Sequence, residues 1–278
     1  MNNFVNCEWL FNNIKDSYLF IIDCRFDLFD ASYGKKAYEN SHIKNAYYLD
    51  INEDFCGKKG VHGGARPVAD CNLLGEKLSN LGIRMDSKIV VYDDKLYSSP
   101  RAWWQLKYMG YENVFVLNGG FSEWKKKGFP ISIDNPMERG EGVFKTNIKE
   151  AMYADIDYVK KALDDEDKAL VDSRNEKRYT GEYEPLYHKK GHIKGAINIP
   201  YEKSIDENGK VKDEYILKEN FKILEGKKEI ITYCGSGIEA AINYIVLDEI
   251  GYKVRLYAGS VSDYISYDEN ELVTGKNV

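Results

Sequence analysis

Short runs of β-branched and aliphatic residues punctuate the chain, and each ends on a residue able to do chemistry. Ile21-Ile22-Asp23, Ile89-Val90-Val91-Tyr92-Asp93, Leu170-Val171-Asp172 and Ile230-Ile231-Thr232-Tyr233-Cys234 are of this kind. Apolar runs of this length, without alternation, predict parallel strands buried on both faces. Helical patterns follow them. Ser99-Pro100 opens Arg101–Met109, with Ser99 as cap, Pro100 at the first helical position and Gly110 as the stop. In the second half Ala241, Ile242, Ile245, Val246 and Ile250 recur at helical spacing before Gly251. Strands alternating with helices predict an α/β fold, a mainly parallel sheet with helices on both faces.

The pattern occurs twice. Ile21-Ile22-Asp23-Cys24-Arg25 returns as Leu170-Val171-Asp172-Ser173-Arg174, and His42-Ile43-Lys44-Asn45-Ala46 returns as His192-Ile193-Lys194-Gly195-Ala196. The run ending at Asp93 returns as the run ending at Cys234. Gly110-Tyr111 with Leu117-Asn118-Gly119-Gly120 returns as Gly251-Tyr252 with Tyr257-Ala258-Gly259-Ser260. The four matches keep their order at a spacing of about 140–150 residues, a whole domain rather than a solenoid repeat. The polar, glycine-rich stretch from Ile133 to Gly142 opens a linker. The expected domains are therefore residues 1–134 and 151–278, with the linker at 135–150.

Composition narrows the function classes. The 278 residues are 43% hydrophobic and 30% charged, with 39 Lys and Arg against 45 Asp and Glu, a net charge of −6. That balance disfavours nonspecific binding to nucleic acid or to an anionic membrane, both of which need a basic face. An anionic substrate would need a local positive site. The N-terminal Met1–Glu8 lacks the basic and apolar regions of a signal peptide, and no apolar stretch is long enough to span a bilayer. The five cysteines (Cys7, Cys24, Cys56, Cys71 and Cys234) are scattered, with no CxxC pair to suggest a zinc site or a redox dithiol. Free thiols in a reducing cytoplasm are the expected state. Nothing in the sequence points to a metal or an organic cofactor.

Cys234 differs from the other cysteines in its surroundings. It ends a predicted strand and precedes a predicted helix, and ligands of parallel sheets bind at that edge. Gly235 and Gly237 let the loop curl so that several N–H groups face one centre. Such a cradle is expected to lower the thiol pKa and to hold an extra anionic sulfur. Cys234 is the expected nucleophile. Asp93 occupies the equivalent place in the first half, and a carboxylate cannot do thiol chemistry, so that half is expected to be catalytically silent.

These features together resemble the two-domain rhodaneses, the thiosulfate and 3-mercaptopyruvate sulfurtransferases. The resemblance rests on the duplication, the Asp-x-Arg and His-Ile-x-x-Ala landmarks, Leu117–Trp124 and Cys234-Gly235-Ser236-Gly237, and runs from about Val5 to about Tyr267. It implies two tandem rhodanese-like domains and a transferase of the EC 2.8.1 class. Cys234 would take a sulfane sulfur from a small anionic donor as a persulfide and pass it to cyanide or a thiol. A thioredoxin-like reductant is a further expected partner. Residue by residue, Gly235, Ser236, Gly237, Ile238 and Glu239 match the active loop, and Arg178 matches the arginine that faces the donor. Asp172 and Arg174 are expected to brace the domain, and His42 and His192 to hold a turn rather than act as bases.

Three departures matter. The mercaptopyruvate branch places a second arginine after a Glu-Pro pair, but Glu184-Pro185 is followed by Leu186-Tyr187-His188-Lys189-Lys190. Lys189 or His188 could replace the charge but not a two-pronged grip. The loop ends Ile238-Glu239-Ala240 where the family has Val-Thr-Ala. Glu239 is expected to point to solvent, because a negative charge beside a negative donor is unfavourable and a helix N-terminus favours an acid. Finally, Ala240 stands six residues after Cys234, where a rhodanese-like phosphatase or arsenate reductase carries Arg, which weighs against that alternative. A non-catalytic rhodanese-fold binding module is the other alternative.

Overall fold

The computed structural model describes residues 1–276. They form two compact units, each completed by a short segment from the other half of the chain. The first comprises Met1–Gly57, Ala69–Lys149 and Glu207–Val211; the second comprises Lys58–Val68, Glu150–Asp206 and Lys212 onward.

The first unit runs β1 (Phe4–Val5), α1 (Cys7–Asn13), β2 (Leu19–Asp23), α2 (Tyr33–Asn40), β3 (His42–Ile43), β4 (Ala46–Tyr48) and α3 (Cys71–Asn80). It continues with β5 (Lys88–Tyr92), α4 (Ser99–Tyr108), β6 (Val114–Leu117), α5 (Gly120–Lys126) and β7 (Ile131–Ser132). Its sheet has the order β1-β6-β5-β2-β4, all parallel, and β3 pairs with β7 antiparallel. Residues 135–149 are irregular and pack within this unit. Gly142 N–H donates to Ser79 O at 2.8 Å, Asn147 N–H donates to Met109 O at 2.8 Å, and Phe144 stacks on Tyr111.

The second unit holds α6 (Ile156–Ala162), β8 (Lys168–Asp172), α7 (Glu176–Thr180), β9 (Ile197–Asn198), α8 (Glu214–Asn220), β10 (Glu229–Tyr233), α9 (Glu239–Glu249), β11 (Val254–Leu256) and α10 (Ser260–Tyr264). Its sheet order is β11-β10-β8-β9, again parallel. β10, buried along its whole length, lies centrally between β8 and β11. Leu170, Ile231, Tyr233, Tyr257 and Val261 belong to one core cluster against it. Two α/β units with parallel sheets flanked by helices are thus observed, as the hydrophobic pattern predicts.

The repeat extends to the polar groups of the core. Arg25 Nε and Nη2 grip Asp23 at 3.0 and 2.7 Å, and Tyr92 donates to the same carboxylate. In the second unit Arg174 grips Asp172 at 3.0 and 2.6 Å, with Tyr233 donating its hydroxyl there. Ile43 N–H donates to Tyr92 Oη and Ile193 N–H to Tyr233 Oη, both at 3.2 Å. Buried charges persist only when paired and hydrogen-bonded, so these arginines brace their domains. His192 is fully buried, stacked on Tyr179 and bonded through Nδ1 to Tyr179 O at 2.8 Å, and burial pushes its pKa down. Its counterpart His42 bonds Tyr38 O and Asp134 O. Both hold turns.

One cap differs from expectation. The N-cap of α4 is Ser98 rather than Ser99, and its hydroxyl caps no helix N–H but donates to Cys24 O at 2.7 Å. The capping role passes to Asp93, which accepts the backbone N–H groups of Ser98 and Ser99. Among the described residues no helix is long and apolar enough to cross a membrane.

Candidate active site

Cys234 stands immediately after β10, at the carboxyl edge of the sheet, and α9 begins five residues later. The loop between them is short because Gly237 takes φ +79°, a conformation that disfavours any side chain. A Cβ there would lie 2.5 Å from Ala258 O. Gly235 is small for a different reason. A Cβ on it would meet Arg178 Nη2 at 3.0 Å and Tyr187 Oη at 3.1 Å, crowding both side chains.

The Cys234 thiol is buried, and Gly237 N–H donates to its Sγ at 3.2 Å. The N–H groups of Ala240 and Ser236 also favour the thiolate. They do not prevail. Burial is the largest influence and the Glu239 carboxylate the next, and together they push the thiol above its ordinary value. This corrects the expectation of a depressed pKa: the loop forms the predicted cradle, but desolvation disfavours the anion by more than three N–H groups favour it.

The first unit shows what such a cradle holds when a carboxylate fills it. Asp93 accepts backbone N–H bonds from Leu96, Tyr97, Ser98 and Ser99 at 2.5, 2.7, 2.5 and 2.7 Å. Behind both cradles the repeat is preserved. Phe121 N–H donates to Asp93 O and Val261 N–H to Cys234 O. Gly120 takes φ +58° and Ser260 takes φ +55°. A serine in that conformation is strained, and here its hydroxyl accepts the Cys234 N–H at 3.1 Å and donates to Tyr257 O at 2.8 Å.

Arg178 lies on α7, whose first turn is capped by the Asn175 side chain. Its Nε and Nη2 donate to the two oxygens of Glu184, each at 3.1 Å, while Arg174 Nη1 shares Glu184 at 3.2 Å. This pairing aims the guanidinium at Gly235 and holds it rigid. Glu239 is partly buried and sits 3.7 Å from Arg178 Nη1. The solvent-facing orientation expected for Glu239 is therefore wrong. α9 is buried from Ala240 to Leu247, so its first turn has little open solvent to face, and Arg178 supplies the opposite charge. Burial pushes the Glu239 carboxyl up to about 7 despite that arginine, with Glu202 adding to the rise. Ile238, the N-cap residue of α9, is buried and packs the loop rather than presenting a polar group to it.

Neither expected substitute for the second arginine joins this group. Lys189 Nζ donates to the backbone carbonyls of Asn270 at 2.8 Å and Asp268 at 3.4 Å, and His188 is exposed. A different cation does, and sequence reasoning missed it. Arg66, in the 58–68 segment of this unit, donates through Nη1 to Ser236 Oγ at 2.9 Å. This irregular strap is tied down by Gly63 N–H to Asp263 Oδ1 at 2.7 Å and Ala65 N–H to Ser262 Oγ at 2.9 Å. Gly64, at φ +82°, passes so close that a Cβ would lie 2.4 Å from Gly259 O. The available signal was a pair of glycine–cation runs, Gly63-Gly64-Ala65-Arg66 and Gly209-Lys210, in corresponding places of the two halves.

Comparison with known proteins shows the family of the chain. The Rhodanese-like domain family matches residues 6–127 and again 155–267. The chain is 33% identical over 279 residues to a probable 3-mercaptopyruvate sulfurtransferase of Pseudomonas aeruginosa, covering 98% of both chains. It is 29% identical over 273 residues to the thiosulfate sulfurtransferase of Rattus norvegicus, covering 94% of this chain and 91% of that one. The crystal structure of the Escherichia coli protein SseA, described as a 3-mercaptopyruvate sulfotransferase with the rhodanese fold, superposes with a TM-score of 0.82 at 28% identity, over 94% of this chain and 100% of that one.

Proposed function

Given that this chain belongs to the rhodanese family, as a tandem pair of rhodanese-like domains, we propose that it is a sulfurtransferase carrying a sulfane sulfur on Cys234. The observation that carries the reading is the position of the Cys234 sulfur, at the end of the central strand with loop N–H groups converging on it. A thiol so placed is a nucleophile whose product, a persulfide anion, meets the same donors.

In the first half-reaction the Cys234 thiolate attacks the donor's transferable sulfur, the sulfane sulfur of thiosulfate or the thiol sulfur of 3-mercaptopyruvate. The new Sγ–S bond forms as the donor's bond to that sulfur breaks. The electron pair leaves on sulfite from thiosulfate, or on the enolate carbon of pyruvate from 3-mercaptopyruvate, which then takes up a proton. In the second, a thiol or cyanide attacks the outer sulfur and expels the Cys234 thiolate. A thioredoxin-like protein could serve as the thiol. Arg178 faces the donor's anionic group, Ser236 donates to the reacting atoms, and the first unit, with Asp93 in its cradle, takes no chemical part.

The charges favour 3-mercaptopyruvate over thiosulfate. Arg178 already faces Glu184 and Glu239, so even with Arg66 at the loop a donor with a single carboxylate is repelled less than a dianion. Reduced thiols suit a cytoplasmic setting, which is part of the same proposal.

The test is mass spectrometry of protein incubated with each donor, beside kcat/KM for both donors at one acceptor concentration. A gain of one sulfur on Cys234, lost in Cys234→Ser, supports the reading. No gain with either donor overturns it and leaves the binding-module alternative. Release of phosphate from an aryl phosphate, lost in the same variant, would favour the phosphatase alternative.

A further inference from the structure

A second positively charged side chain stands at the loop that holds Cys234, contributed by a part of the chain far from that loop in sequence. Arg66 reaches Ser236 from the 58–68 strap. Ser236 is buried, its backbone N–H faces the Cys234 sulfur, and its hydroxyl accepts from the guanidinium. A serine oxygen that accepts from a cation keeps its own hydrogen for another acceptor and becomes a stronger donor.

The strap itself is anchored independently of Arg66. Four contacts fix it: Gly63 N–H to Asp263, Ala65 N–H to Ser262, Gly64 against Gly259, and His62 stacked on Tyr267 with Nδ1 bonded to Ser266 Oγ at 2.8 Å. Arg66 is therefore not needed to seat the strap. The corresponding run of the first unit ends differently. There Lys210 binds Glu123 at 2.9 Å, a carboxylate at the start of α5. In the second unit the residue in the place of Glu123 is Asp263, which accepts from Gly63 N–H and from the Tyr257 hydroxyl at 2.8 Å. The silent unit thus directs its strap cation to a structural acid, whereas the other directs it to the active loop. Tyr187, whose hydroxyl borders Gly235, lies within the electrostatic reach of Cys234, Arg178 and Arg66 alike.

We infer that Arg66 is the second cation of the donor site, binding the donor's anionic group together with Arg178 while holding the Ser236 hydroxyl toward the reacting atoms. This rests on the sulfurtransferase reading for the identity of the donor. It also accounts for the absence of an arginine after Glu184-Pro185, since that charge arrives from the strap instead.

The test uses the full chain with Arg66→Ala, Arg66→Gln and Arg66→Lys, each checked by thermal melting. Steady-state kinetics with 3-mercaptopyruvate should show KM raised about tenfold or more in Ala and Gln, the scale of one lost charge-assisted bond. The rise in Lys should be smaller, and added guanidinium should partly restore the Ala variant. If Ala fails to fold, Gln and Lys decide. A KM within twofold of wild type in the folded neutral variants overturns the inference. Calorimetric titration of 3-mercaptopyruvate into Cys234→Ser protein, with and without Arg66→Gln, separates this result from the sulfurtransferase reading. Tenfold weaker binding on loss of Arg66 supports the inference even if wild type forms no persulfide. Equal binding, or none in either protein, overturns it.

Discussion

Glu239 Oε2 stands 3.7 Å from Nη1 of Arg178, whose Nε and Nη2 are held by Glu184 at 3.1 Å. The Arg178 guanidinium is thus flanked by two carboxylates. One of them, Glu239, also acts on the nucleophile, because its charge raises the Cys234 pKa. One acid therefore acts on both the Arg178 guanidinium and the Cys234 thiol.

Glu239→Gln should make the Cys234 thiol ionise at lower pH, since it removes the second-largest influence holding that pKa up. The rate of iodoacetamide alkylation of Cys234 against pH reports the midpoint. An unchanged midpoint would remove Glu239 from control of the thiol.

The same substitution should change how stability depends on pH. The folded carboxyl is raised from 4.5 to about 7, so the folded state prefers it protonated. That contribution is fully present below about pH 4.5 and is lost as pH rises to about 7, because the unfolded chain ionises first. Urea unfolding at pH 5 and pH 7.5 should show a smaller decline in Glu239→Gln than in wild type. Parallel declines would contradict the raised carboxyl.

Arg178→Ala should reduce kcat/KM by about 2 kcal/mol through loss of a charge-assisted bond to the donor. It should also cost about 3 kcal/mol of stability, because Glu184 and Glu239 lose a shared partner within the protein. Kinetics of the folded fraction and a denaturant titration separate the two effects. Full activity would exclude Arg178 from the site.

Asp93→Ala should leave the turnover of folded protein nearly intact, as a silent first unit requires. Stability is another matter. Four backbone N–H groups would lose one carboxylate, and about 3 kcal/mol or more should go with it. A large loss of turnover in protein that still melts cooperatively would show that the first unit takes part.

Gly237→Ala and Gly235→Ala should fail in different ways. The first forces a side chain into positive φ and against Ala258 O, so the melting temperature should fall together with persulfide formation. The second crowds Arg178 and Tyr187 without backbone strain, so the fold should survive while KM rises. Equal melting temperatures for wild type and Gly237→Ala would contradict the loop geometry.

The duplication, the parallel strands and the place of Cys234 were legible in the sequence because each is local. A run of branched residues, a glycine at a turn and a repeated landmark carry their signal within a few positions. The bracing role of Arg174 and the turn-holding roles of His42 and His192 were readable too, since the repeat supplied its own comparison. What the tertiary structure decided was direction and distance. Glu239 turns inward because α9 is buried from Ala240 to Leu247, which charge at a helix N-terminus alone does not reveal. The thiol pKa rises because burial outweighs three N–H groups, a balance that requires the packed site. Arg66 reaches Ser236 across more than half the chain because a glycine in positive φ lets its strap pass close to Gly259. The sequence by itself determined the place of Cys234 and the scaffold that presents it; only folding determined which charges surround it, because electrostatic energy depends on separation in space and not along the chain.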